Sequence, residues 1–84
     1  MAKTLNVHVT QDDIKRGKSE NPHLCPIACA LRKQGHERIT VENWGIQVGR
    51  SKDYYDIPAR ATTFIEAFDL GVPVKPFSFV AREV

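Results

Sequence analysis

Apolar residues recur along this chain with two different periods, and the switches between them outline its elements. Leu5, Val7 and Val9 are separated by Asn6 and His8, the period of two that predicts a half-buried strand over residues 4–9. Thr10-Gln11-Asp12-Asp13 then sets a capping hydroxyl three residues ahead of an acid, a capping box with Asp in place of Glu. It predicts a short helix anchored by Ile14 and ended by Gly17. Residues 18–24 have no period and contain Asn21-Pro22, a turn signal. The stretch that follows is the organising one. Pro26 suits a first helical position behind Cys25 as N-cap, and Ile27, Ala30 and Leu31 form one apolar stripe. Arg32 and Lys33 complement the negative helix end, and Gly35 can adopt the left-handed conformation that closes it, so a helix is predicted over about residues 26 to 34.

Past Gly35 the period of two returns. Ile39 and Val41 alternate with Arg38 and Thr40, and Trp44, Ile46 and Val48 resume beyond Glu42-Asn43, predicting a β-hairpin with Trp44 in the core. Residues 49–56 are polar with two tyrosines and read as a long loop or a further strand. Ile57-Pro58 opens a third helix with Ala61, Phe64, Ile65 and Phe68 on one face and Gly71 past its end. Two prolines keep residues 72–76 extended, and a terminal strand over 77–82 carries Phe77 and Phe79 on one side. The order β-α-α-β-β-α-β predicts a single compact α+β domain over residues 1–84, with a mainly antiparallel sheet and helices on one face. A four-strand sheet leaves two edges, which makes a homodimer that joins or covers them a candidate assembly.

Composition narrows the classes. Hydrophobic content of 42% and charged content of 26% are ordinary for a globular domain, so disorder is not indicated. No apolar run approaches the roughly 20 residues of a membrane span, and the start of the chain lacks a signal-peptide pattern; a cytoplasmic protein is expected. In that reducing compartment Cys25 and Cys29 are expected as thiols. Twelve basic residues against ten acidic ones leave a net charge of +2, too small to point to nucleic acid by itself.

Several side chains carry candidate chemistry. His23, Cys25, Cys29 and His36 form an H-x-C-x3-C-x6-H run of zinc-type ligands, but the spacing matches no familiar site, so no metal or other cofactor is expected. Cys25 at a helix N-terminus beside His23 would be an activated nucleophile only with an oriented base and oxyanion donors, which no motif supplies. The segment 49–56 is the stronger surface candidate. Arg50 and Lys52 can meet phosphates, Ser51 can donate, and Tyr54 and Tyr55 offer faces for stacking, a ligand-binding set for an anionic molecule. Lys15, Arg16 and Lys18 form a secondary basic patch. A Gly-rich phosphate loop, a paired-carboxylate motif and a Ser-His-Asp signature are all missing from the sequence, so the chain is not expected to be an enzyme.

Three pieces of the sequence are shared with a known group: Val7-His8-Val9-Thr10-Gln11-Asp12-Asp13-Ile14 followed by Gly17; Cys25-Pro26-Ile27-Ala28 with Ala30-Leu31; and Phe64-Ile65 through Phe68-Asp69, Gly71 and Pro76-Phe77-Ser78-Phe79. In these the chain resembles small uncharacterised proteins encoded by bacteriophages, prophages and actinobacterial genomes. The resemblance implies a phage-linked setting and supplies no catalytic residue. The favoured reading is a non-enzymatic accessory protein that acts by binding, either blocking a host defence protein or sequestering an anionic small molecule such as a nucleotide. The alternative is a nucleic-acid-binding module, and the third a small metal-binding or cysteine-dependent hydrolase.

Overall fold

A computed structural model describes residues 3–49 and 54–84. Among these residues, five strands and three helices follow in the order β1 (Thr4–Val9), α1 (Gln11–Arg16), α2 (Pro26–Lys33), β2 (Ile39–Glu42), β3 (Gly45–Val48), β4 (Tyr54–Asp56), α3 (Ala59–Asp69) and β5 (Phe77–Glu83). The strands form one antiparallel sheet in the order β1-β5-β4-β3-β2. This is the expected α+β domain, and the segment read as loop or strand contributes the additional strand, β4. Although β1 and β2 are the two ends of the sheet, α2 packs against both, so the sheet curls around that helix.

Strand alternation decides which side chains reach the helix. Leu5, Val7 and Val9 stand opposite Ala81, Phe79 and Phe77, and Val41, Ile46 and Tyr55 line up across β2, β3 and β4. These inward residues join Ile27, Ala28, Ala30 and Leu31 of α2 and Ala61, Phe64 and Ile65 of α3 in one core. The helices therefore cover one face. Ile27 and Leu31 are wholly buried, which at about 25 cal/mol per Å² of apolar surface makes α2 a principal source of stability. Phe64 and Phe77 link α3 to the last strand at a ring-centroid distance of 4.5 Å, and Phe77 continues to Phe79 at 5.3 Å.

The helix ends carry the expected signals. Thr10 accepts from the Asp13 N–H while the Asp13 carboxylate accepts from the Thr10 N–H, a complete capping box. α2 ends one residue earlier than predicted, with Gln34 as its cap. Gly35 (φ +101°) donates to the Arg32 carbonyl and His36 to that of Leu31, the paired bonds of a Schellman motif, and Gly71 ends α3 in the same way. Gly17 has an ordinary φ but a different constraint, since a Cβ there would lie 2.6 Å from the Pro26 ring.

Trp44 departs from the sequence reading. Glu42 pairs with Gly45, so Asn43-Trp44 is the hairpin turn itself and Trp44 stands 61% exposed instead of extending the inward row of β3. Apolar alternation across a two-residue turn imitates strand periodicity although the backbone reverses there.

Both sheet edges have intramolecular partners. On β1, the Gln34 side chain accepts from the His8 N–H (3.1 Å) and donates to the Asn6 carbonyl (2.6 Å). On β2, the Val41 N–H donates to the Pro22 carbonyl (2.8 Å) and His23 Nδ1 lies 3.2 Å from the Ile39 carbonyl. The edges that motivated a homodimer are thus occupied by the chain's own groups.

Candidate functional site

Of the predicted ligand set, Arg50, Ser51 and Lys52 lie outside the described residues. The two tyrosines separate. They are neighbours on β4, so they face opposite sides: Tyr55 is buried in the core beside Ile46, while Tyr54 points outward from the uncovered face. Tyr55 is therefore a core residue and no part of a surface set. In its place the fold brings Trp44, whose ring lies 5.4 Å from that of Tyr54 at an angle of 37°. Sequence reasoning missed this partner because Trp44 lies ten positions earlier, and only the antiparallel β3–β4 pairing, with Tyr54 opposite Gln47, brings Tyr54 within reach of the Trp44 ring. Near the pair, Asp56 and Arg82 stand opposite each other on β4 and β5, so the local charges oppose.

Concavities among the described residues lie elsewhere. The hairpin turn, anchored by the Thr62 hydroxyl donating to the Asn43 carbonyl (2.8 Å), borders a cleft of about 240 Å³. Its floor is Cys25, Val41 and Ile65, and its charged lining is Glu20, Glu42 and Asp69. Asp69 Oδ1 accepts from the Glu20 N–H at 2.8 Å, and Glu20 holds a left-handed φ of +55°. The volume falls below the range of about 300–1,000 Å³ usual for drug-sized ligands. Three carboxylates, with no cation among the described lining residues, make the cleft suited to one basic side chain and hostile to a nucleotide.

The second concavity, about 460 Å³, runs between α1 and α2 and is lined by Asp12, Asp13, Arg16, Cys29, Arg32 and Lys33. It changes the predicted basic patch: Arg16 meets the α2 cations across this groove, while Lys15 and Lys18 do not line it. The cations are already engaged. Arg16 Nε lies 3.1 Å from Asp12 Oδ2, Lys33 Nζ lies 3.2 Å from the buried Asp13 Oδ1, and Arg32 donates to the His23 carbonyl. An anion in this groove would compete with those partners.

The remaining candidates hold little reactive chemistry. Burial pushes the Cys25 thiol up to about 11, against the weaker downward pull of the Ala28 and Ile27 N–H groups; Cys29 and Asp69 push it further up. A helix N-terminus alone would lower a thiol, so the expected direction of activation is reversed by desolvation. Cys29 is half-buried with its Sγ 3.6 Å from the Leu24 carbonyl, and His23 is spent on the β2 edge. Among the described residues, no group of three or more His, Cys, Asp or Glu side chains is arranged to hold a metal ion. Pairing of β1 with β5 sets His8 Nδ1 2.9 Å from Ser78 Oγ on the outer face, with Arg60 donating to the Ser78 carbonyl. That hydroxyl–imidazole pair stands in solvent, and among the described residues no third group orients the ring.

Among the described residues, no helix is long and apolar enough to cross a membrane. No protein-family model matches the chain, and no curated protein and no solved structure matches it.

Proposed function

We propose that this chain is a small non-enzymatic accessory protein that acts by binding another protein, a host protein if the chain is phage-encoded as its resemblance implies. The observation that carries the reading is the Trp44–Tyr54 pair, two large aromatics in tilted contact on the sheet face that, among the described residues, no helix covers. Tryptophan and tyrosine dominate the energetics of protein interfaces, and an exposed tryptophan contributes little to the fold that displays it. The acid-lined cleft beside the same turn favours a protein partner carrying a basic side chain over the sequestered anionic small molecule of the sequence reading.

The same pair also supports the nucleic-acid alternative, since exposed aromatics on a sheet can stack on bases. The opposed Asp56 and Arg82 charges weigh against it, because backbone binding needs an excess of cations.

A photo-crosslinking amino acid at position 47, opposite Tyr54 on the same face, tests the reading in producing bacteria, with the same amino acid at exposed position 75 as control. The expected result is a protein adduct specific to position 47 that disappears with Trp44→Ala. A nuclease-sensitive adduct would assign the surface to nucleic acid, and identical adducts from both positions would remove the binding role.

A further inference from the structure

We propose that the Gln34 side chain is a latch that occupies the β1 edge in place of a neighbouring strand and keeps two copies of this chain from pairing β1 to β1. In an antiparallel ladder both backbone groups of a residue point to the same side. Leu5, Val7 and Val9 turn theirs toward β5, while the Gln34 contacts show that Asn6 and His8 turn theirs to the edge. A primary amide has one acceptor and one donor on adjacent atoms. Gln34 Oε1 takes the His8 N–H and Nε2 gives to the Asn6 carbonyl, the two positions an added strand would bond first. The Schellman closure at Gly35 fixes the cap residue that carries this amide beside the edge.

The excluded occupant is a second copy because β1 is self-complementary about Val7. In an antiparallel pair centred there, Asn6 of each copy stands opposite His8 of the other and exchanges both N–H···O bonds. Val7 then meets Val7, and Leu5 meets Val9, all on the apolar face. An unguarded edge of this kind is a template for association. The β2 edge differs: its Val41 N–H is held by the Pro22 backbone, which no side-chain replacement removes.

The test compares the full chain with Gln34→Ala by amide exchange and sedimentation velocity. Exchange at the His8 amide is expected to quicken about 2- to 10-fold in dilute protein, the range one net hydrogen bond spans. Self-association should appear in the variant as concentration rises, while the parent sediments as a monomer. Adding His8→Pro removes the edge N–H without touching the β5 ladder and should return Gln34→Ala to a monomer. Unchanged His8 exchange, a variant that stays monomeric, association that survives His8→Pro, or a parent already dimeric through β1 would each overturn the proposal. Trp44 and Tyr54 are unaltered throughout, so the result is separate from the fate of the aromatic surface.

Discussion

Both faces of the sheet carry aromatic residues in contact with one another, but to opposite ends. On the inner face Phe64, Phe77 and Phe79 form a continuous stack under α3, and Tyr55 closes the row over β3. On the outer face Trp44 and Tyr54 form their own pair in solvent. The same kind of contact holds the fold together on one side and remains available to a partner on the other. What separates them is whether a helix covers the strand.

The contrast breaks most sharply at Leu31, which is wholly buried in the last turn of α2. Leu31→Ala is expected to cost about 2 to 5 kcal/mol in urea titration, much of the stability of so small a domain. A loss below about 1 kcal/mol would show that α2 does not hold the curled sheet.

The Cys25 thiol tests burial through pH. Its folded value, about 11, lies above the ordinary 9.0, so the fold favours the neutral form. That contribution is complete below pH 9 and is lost as pH rises toward 11. At 1.36 kcal/mol per unit it amounts to about 2 to 3 kcal/mol. Urea midpoints across this window should fall more steeply for the parent than for Cys25→Ala; equal slopes would mean the thiol is hydrated.

Within the inner stack, Phe64→Ala and Phe77→Ala should be coupled by about 0.5 to 1.5 kcal/mol in a double-mutant cycle, since the rings touch. Phe68 stacks on Phe64 at 6.3 Å and, among the described residues, on neither Phe77 nor Phe79, so Phe68→Ala with Phe79→Ala should be closer to additive. Strong coupling of that outer couple would mean the stack moves as one unit.

The smallest stability effect belongs to the outer face. Trp44→Ala should change unfolding by no more than about 0.5 kcal/mol, as at ordinary surface positions, while abolishing partner capture. A loss comparable to that of a buried phenylalanine would place Trp44 in the structural class and leave Tyr54 without its functional companion.

Part of this division is legible in local sequence. The alternation of Leu5, Val7 and Val9, the stripe of Ile27, Ala30 and Leu31, the capping box at Thr10 and the glycines at 35 and 71 each depend on neighbours within a few positions. Short-range steric and hydrogen-bonding rules therefore determine them, and with them the order of elements and the α+β class. The candidate sites do not have this property. The Trp44–Tyr54 pair, the Gln34 latch on Asn6 and His8, and the cleft between Glu20, Glu42 and Asp69 join residues 10 to 49 positions apart. Strand register and the curl of the sheet around α2 bring these residues together. Cys25 shows the limit most plainly: its position at a helix N-terminus is written in the sequence, but the direction in which its thiol is shifted was decided by the packing that buries it.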